Sequence, residues 1–287
     1  MIRNHNFYLN LAFQLAEKNL GHTKLNPSVG CVIVKNDTVI SSGVTSMSGR
    51  PHSEYNALKN LKNCSGATLY TTLEPCTHYG KTPPCVDIIV RKKIKNVFYA
   101  FEDPDVRTFK KAKKILNNKG ISCKLIKSKD YSNFYKGYYI NKKSEIPFIT
   151  AKIALSKDYL TINKKNKWIT NIFSRKTVHL LRYKYDCILS TSKSINYDNS
   201  LLNCRINGLD KYKSALFIVD LSLKLRKNLL LNSLLKKRKR YLITLKKNLK
   251  KTEIYKKIGY DIILIDSLTN KEDFEKLNKK IYKMGYS

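Results

Sequence analysis

The chain has 287 residues, 42% of them apolar, with 56 Lys and Arg against 21 Asp and Glu and a formal net charge of +35. That length accommodates one large domain or two ordinary ones, with enough apolar residues for a real core. No run approaches the roughly eighteen apolar residues of a membrane span, and Met1-Ile2-Arg3-Asn4-His5-Asn6 lacks the apolar stretch of a signal peptide, so a cytoplasmic protein without a membrane partner is expected.

Apolar residues at Tyr8, Leu11, Ala12, Leu15 and Ala16 predict a helix over 7–18, ended by Gly21. Leu25-Asn26-Pro27-Ser28 reads as a turn before a buried strand over 29–34, and Asn36-Asp37 as a hairpin turn into a strand over 38–44. A helix over 53–61 starts directly after His52. Strands over 67–73, 97–101 and 121–126 then alternate with helices running from Pro84-Cys85 to 90 and over 108–117. That alternation makes the first half α/β, a sheet between helix layers. A polar, aromatic-rich helix within 130–146 leads to Glu145-Ile146-Pro147, read as the boundary between domains 1–146 and 147–287. The second half repeats the α/β pattern: strands over 148–155, 187–190, 215–219, 241–244 and 262–265, and helices over 174–183 and 274–284. Residues 224–239, rich in leucine and lysine, take no assignment.

The charge is spread along the chain among many Asn, Ile and Tyr, which reads as compositional bias rather than a nucleic-acid-binding stripe. The run Leu235-Lys236-Lys237-Arg238-Lys239-Arg240 is the local exception and is read as a solvated loop. A field of this sign still attracts small anionic substrates. Seven cysteines lack disulfide-framework spacing and suit a reducing cytosol. Cys76 and Cys85 are read as metal thiolates, and Cys31, Cys64, Cys123, Cys187 and Cys204 as packing residues.

The chemistry concentrates between His52 and Cys85. His52, Cys76 and Cys85 supply three of the four ligands of a catalytic zinc and leave one position for water. The metal brings that water toward ionisation at neutral pH. Glu54, two residues after His52, is placed to take the water's proton and pass it to a leaving amine. This is the zinc-deaminase arrangement, usually drawn with two residues between the cysteines. Here eight separate them. His78 and Lys81 lie inside that long loop, where they are candidates to hold substrate, Lys81 as a point charge suited to an anion.

Asn26 through Val34, His52-Ser53-Glu54, and Thr71-Thr72-Leu73-Glu74-Pro75-Cys76 through Thr82-Pro83-Pro84-Cys85 together resemble the bifunctional riboflavin-biosynthesis pyrimidine deaminase/reductases, whose long cysteine spacing sets them apart from cytidine and deoxycytidylate deaminases. Glu102-Asp103-Pro104 resembles the family's Asp-Pro turn. The resemblance implies a cytidine-deaminase-like three-layer domain followed by a dihydrofolate-reductase-like α/β domain. It implies deamination of a small phosphorylated pyrimidine, 2,5-diamino-6-ribosylamino-4(3H)-pyrimidinone 5′-phosphate, followed by an NADPH-dependent reduction, and it is compatible with a homo-oligomer. His52, Cys76 and Cys85 match the zinc ligands, Glu54 the proton donor, and Asn26, His78 and Lys81 the substrate contacts. Thr45 stands where many members carry a histidine.

In the second half the resemblance gives Ala154, Trp168, Ser194 and Asp198 as cofactor positions, and Asn166, Arg182, Leu202 and Arg205 as substrate positions. Ser156-Lys157-Asp158-Tyr159 lacks the family's glycine at this point. No counterpart of the family's Glu-Gly-Gly-like segment and last strands follows the helix ending near Met284, so the expectation is an incomplete reductase domain and a chain that deaminates without oxidising NADPH. Two alternatives belong to other classes: a nucleic-acid or nucleotide base deaminase, which short cysteine spacing would have favoured, and a non-catalytic chain with structural zinc, which a fourth protein ligand would favour.

Overall fold

The computed structural model describes residues 4–127, 130–161, 168–234 and 238–287. Two compact units divide the chain: Met1–Phe148 with the terminal Ser287, and Ile149–Tyr286.

The first unit opens with α1 (His5–Lys18), its N-terminus capped by Asn4, whose side chain accepts from the Asn6 N–H at 3.1 Å. Then come β1 (Gly30–Lys35), β2 (Thr38–Val44), α2 (Ser53–Leu58), β3 (Thr68–Thr71), α3 (Cys85–Arg91), β4 (Asn96–Tyr99), α4 (Ala112–Asn117), β5 (Ser122–Leu125) and α5 (Lys136–Ser144). The sheet order is β2-β1-β3-β4-β5. β1 runs antiparallel to both neighbours, while β3, β4 and β5 are parallel. Asn36 and Asp37 turn the β1–β2 hairpin with φ of 50° and 56°, the left-handed pair that a two-residue hairpin demands.

Strand alternation sorts the core into two layers. Cys31, Ile33, Leu69, Val97 and Tyr99 face α2, α3 and α4. Val32, Val34, Tyr70 and Phe98 face the other way, onto Tyr8, Leu9, Ala12 and Phe13 of α1 and the aromatic residues around α5. The result is the expected three layers. A Cβ on Gly43 would come within 2.3 Å of the Ser53 carbonyl oxygen. Only glycine therefore lets α2 lie this close to the edge strand, and that approach sets the start of α2.

The second unit contains α6 (Ile172–Lys184), β6 (Cys187–Thr191), α7 (Ser192–Asp198), β7 (Ala215–Val219), α8 (Leu230–Leu234), β8 (Arg240–Leu245), α9 (Glu253–Ile258), β9 (Asp261–Ile265) and α10 (Lys271–Lys283). Its strands pair in chain order, β6-β7-β8-β9, all parallel. Leu216, Ile218 and Leu242 bury one face with Leu229, Leu231 and Tyr255, and Phe217, Tyr241 and Ile243 bury the other against Leu277 and Ile281 of α10. Near-continuous apolar strands are what a parallel sheet covered on both faces requires.

Several local expectations change. Residues 149–155 form no strand: Ile149 and Ile153 are 62% and 68% exposed. Alternating apolar residues suit a strand only where a neighbouring ladder takes up the backbone groups, and no described strand does so here. The helix expected over 108–117 starts at Ala112, because Lys110 takes a φ of 58° and the Glu74 carboxylate accepts the N–H groups of Lys110 and Ala112. Within 130–146 the helix occupies only Lys136–Ser144.

The basic run read as a solvated loop is not one in its described part. Arg238 and Arg240 are each 3% exposed. Arg238 donates to the carbonyls of Ser214, Leu201 and Leu202 at 2.6, 2.6 and 3.0 Å. Arg240, on β8, bonds the Leu231 and Ile258 carbonyls, and its guanidinium sits 4.8 Å from the Tyr260 ring centroid. Residues 235–237 lie outside the described set.

Candidate metal centre

His52 is the N-cap of α2, extended at φ −72° and ψ 162°, which leaves its imidazole beside the first helical turn. Cys85 is the first residue of α3, directly after Pro84, whose fixed φ ends the loop and starts the helix. Cys76 lies at the head of that loop, beyond β3. Separate elements thus bring one nitrogen and two sulfurs together. His52 Nδ1 stands 3.5 Å from the Cys76 sulfur and 3.4 Å from that of Cys85, and all three donor atoms lie within 4.8 Å of one another. Bond lengths to a tetrahedral zinc imply a nitrogen–sulfur edge of about 3.6 Å. The donor set fits that ion in type, number and spacing, with one position left over.

The same geometry explains the acid–base state of the groups. Cys76 is drawn down to about 4, first by its hydrogen bond with Cys85 and then by His52, against the effect of burial. Cys85 is pushed well above its usual range, by the same hydrogen bond and then by burial. The Cys76 sulfur also accepts the Cys85 backbone N–H at 3.2 Å. Glu54 is 3% exposed; its carboxylate accepts from Ser53 Oγ at 3.0 Å and from the Cys85 thiol at 3.4 Å. Burial, and then the Cys76 charge, raise its pKa.

A cavity of about 70 Å³ opens at this cluster, lined by His52, Glu54 and Cys76 together with Asn26 and His78. Asn26 is fixed in its turn by Thr23, whose carbonyl accepts the Asn26 N–H and whose hydroxyl donates to the Asn26 carbonyl. His78 is held by Thr108 Oγ1 at 3.2 Å, and burial lowers its pKa. Thr45 also lines the cavity, buried, accepting the Val29 N–H at 3.0 Å. Lys81 is exposed on its loop, outside this lining.

Sequence reasoning did not identify the charged part of the wall. Arg50, Asp103, Asp105, Arg107, Tyr138 and Lys142 all line it. Asp105 is paired with Arg107 at 2.6 Å and Lys142 at 3.0 Å, and these partners hold its carboxyl far below the usual carboxylate range. Tyr138 donates to Asp103 at 3.0 Å. Glu74 braces the loop from below by accepting the N–H groups of Asp103, Lys110 and Ala112. One signal was available: Tyr138 and Lys142 are four residues apart, on one face of α5.

In the second unit the expected substrate positions converge. Arg182 donates to the Asn203 carbonyl at 3.2 Å, Arg205 to the Asn203 side chain at 3.2 Å, and the Arg205 N–H to His179 Nδ1 at 3.2 Å. Leu202 precedes them at a φ of 49°. Asn203, Cys204, Arg205 and Lys213 border a hollow of about 320 Å³. The expected cofactor positions sit on three segments: Ala154 in the unpaired stretch, Trp168 exposed with the Arg175 guanidinium 4.5 Å from its ring centroid, and Ser194 and Asp198 exposed on α7. Asn166 lies outside the described residues. No described helix is long and apolar enough to cross a membrane.

Residues 2–101 match the cytidine and deoxycytidylate deaminase zinc-binding region. The riboflavin biosynthesis protein RibD of Actinobacillus pleuropneumoniae is 31% identical over 283 residues, covering 96% of this chain and 74% of its own length. The RibD of Aquifex aeolicus is 33% identical, covering 95% and 77%. That of Buchnera aphidicola subsp. Baizongia pistaciae is 39% identical over 203 residues, covering 69% and 55%. The chain therefore spans about half to three quarters of the length of these relatives. Among solved structures, Acinetobacter baumannii RibD has a TM-score of 0.80 at 28% identity, covering 97% of this chain and 78% of that one. A diaminohydroxyphosphoribosylaminopyrimidine deaminase/5-amino-6-(5-phosphoribosylamino)uracil reductase from Thermotoga maritima has a TM-score of 0.82 at 25% identity, covering 98% and 78%.

Proposed function

The chain belongs to the RibD family of riboflavin biosynthesis proteins, and from that premise we propose that its first unit hydrolytically deaminates 2,5-diamino-6-ribosylamino-4(3H)-pyrimidinone 5′-phosphate to 5-amino-6-(5-phosphoribosylamino)uracil. The observation that carries this reading is the convergence of His52 Nδ1 and the two cysteine sulfurs beside a buried Glu54, open to a cavity. His52, Cys76 and Cys85 would hold the zinc, which supplies Lewis acidity and a water of lowered pKa.

The chain's own groups do the rest. Glu54 takes the proton of the attacking water and returns it to the departing amine, so that one water is consumed and one ammonia leaves as the ring C–NH₂ becomes C=O. A burial-raised pKa suits a carboxyl that must both accept and donate within one turnover. Asn26 and His78 line the wall and would orient the ring. Thr23 holds Asn26 in place, and Thr108 holds His78.

The second unit carries the parallel sheet of the family's reductase-like half. Arg182, Arg205 and the Asn203 loop suit an anionic substrate end. Ala154, Trp168, Ser194 and Asp198 are the positions we infer to face the family's NADPH, and no hydride step is derived from them. All seven cysteines are free, in keeping with a reducing cytoplasm, and a free phosphorylated pyrimidine rather than a nucleic acid is the partner we infer. The test is ammonia release from the pyrimidinone phosphate by the zinc-loaded chain. Absence of release, or deamination of single-stranded DNA or transfer RNA instead, overturns the reading.

A further inference from the structure

The cavity beside the metal centre is bordered by three strong cations, and they are not equivalent. Arg107 and Lys142 both reach Asp105, at 2.6 and 3.0 Å, so one carboxylate already compensates them. Arg50 has no carboxylate partner among the described residues. Its Nη1 donates to Thr82 Oγ1, on the loop between the two cysteines, and its Nη2 lies 3.4 Å from the position of a Cβ on Gly80 in the same loop. Its charge is near enough to act on both His52 and His78. Lys81, the cation that residue type alone would choose for an anion, is exposed and outside the lining.

The backbone aims Arg50 into this place. Gly49, at φ 91°, packs so tightly that a Cβ there would lie 2.3 Å from the Asn26 side-chain nitrogen and 2.7 Å from the Thr23 carbonyl oxygen. The turn holding Asn26 therefore also fixes the approach of residue 50. A guanidinium carries five N–H donors in a planar fork. The contact to Thr82 leaves several of them for an oxyanion, which a guanidinium grips bidentately and a lysine only as a point charge.

We propose that Arg50 reads the phosphate of the substrate, bridging it to the Thr82 side of the cysteine loop, and so sets the deaminase's preference for a phosphorylated over a phosphate-free pyrimidine. The idea rests on the deaminase reading and deepens it. Arg50 binds and selects; the proton chemistry stays with Glu54.

The test compares the zinc-loaded wild type with Arg50→Met and Arg50→Lys, with metal content and circular dichroism as folding controls. Two readouts are taken: the ratio of kcat/KM for the pyrimidinone phosphate to that for its dephosphorylated form, and calorimetric binding of ribose 5-phosphate alone, the latter with Arg182→Met and Arg205→Met added to each protein so that the second unit's anion-suited loop does not contribute. Arg50→Met is expected to lower that ratio about 10- to 100-fold, mainly through KM, the range typical of a hydrogen bond to a charged group. Arg50→Lys should fall between the two, because it keeps the charge and loses the fork. Ribose 5-phosphate should bind the wild type and lose most of its affinity in Arg50→Met. Equal loss on both substrates would show that Arg50 merely shapes the loop and would overturn the proposal, as would ribose 5-phosphate affinity that ignores the substitution or is absent from the wild type. Arg50-dependent binding of ribose 5-phosphate by a chain that releases no ammonia would instead sink the deaminase reading and leave the anion site standing.

Discussion

In the first unit the reactive side chains come off the starts of two helices and the loop between β3 and α3, and are sealed on the core side: Glu54 and Cys85 are each 3% exposed, and Cys76 is 8% exposed. In the second unit the converging residues hang on the 201–205 loop, and that loop is held by arginines that bond backbone carbonyls. One site is defined by which residues it contains, because a metal demands particular donor atoms. The other is defined by where the backbone is pinned, because an anion accepts any well-placed donor. The difference predicts that single side-chain changes act chemically in the first unit and conformationally in the second.

The sharpest break would come from removing a donor. Cys85→Ala leaves one nitrogen and one sulfur, so zinc content should fall to a small fraction of one per chain and deamination should disappear with it. Metal analysis of the purified variant is the check. Undiminished zinc would mean that the ion is held by other residues and that the three donors owe their convergence to something else.

Glu54→Gln asks whether the carboxylate is chemical or structural. It is not counted among the metal donors, so zinc should remain while ammonia release falls about a hundredfold to ten-thousandfold, the range expected for loss of a positioned proton shuttle. Because Gln keeps the volume and can still accept from Ser53, the fold should be unaffected. Near-normal turnover would remove Glu54 from the mechanism.

These two changes touch residues that were legible in the sequence, and the reason is physical. His, Glu and two Cys in that order and spacing have few other uses, so residue type carries the information. Tyr138, Lys142, Asp105 and Arg107 were not legible as wall residues, because they reach the cavity only once α5 and the loop after β4 have folded over it. Lys81 sits in the loop where an anion contact is expected, but where its side chain points depends on a loop conformation that spacing does not encode. The second unit's strands were legible from their apolar runs. The strand expected over 148–155 did not form because apolar residues make a strand only where a partner takes up the backbone groups. Arg238 and Arg240 were misread because a basic run looks alike whether it faces water or carbonyl oxygens.

Arg238 therefore tests the conformational side of the comparison. Arg238→Met leaves the Leu201, Leu202 and Ser214 carbonyls without their donor, while relieving the cost of a buried charge. We expect a net loss of about 2 to 3 kcal/mol in the second unit, since each buried group left unmade costs about 1 to 3 kcal/mol. Hydrogen exchange followed by mass spectrometry should show faster exchange across 199–206, with zinc content and the amides of β3 unchanged. Equal acceleration in both units would mean that their stabilities are coupled, and the contrast drawn above would fail.

The smallest effect concerns Asp103, and it separates the units by pH. Burial, chiefly, raises its carboxyl from 3.8 to about 6, against the hydrogen bonds from the Asp105 N–H and Tyr138. Between about pH 4 and 6 the unfolded chain has released this proton while the folded chain still holds it. The unfolded state then binds fewer protons, so stability falls as pH rises through that window, by at most about 3 kcal/mol for a rise of this size, and is level above it. Asp105 works in the opposite sense, being held ionised by Arg107 and Lys142, but its stabilisation is lost only as pH falls below its ordinary range, outside this window. Arg238, which burial brings down to about 10, stays charged throughout, so the second unit's clamp gives no matching slope. Asp103→Asn keeps the shape and removes the proton. Comparing denaturant midpoints of the metal-free wild type and Asp103→Asn from pH 4 to 7, with exchange of first-unit amides as the local readout, should show a steeper slope in the wild type than in the variant, which keeps the contributions of Glu54 and Glu74. Identical slopes would show that other buried carboxyls of that unit, Glu54 and Glu74, carry the dependence, and that the loop of paired charges around Asp105 already stabilises Asp103 as an anion.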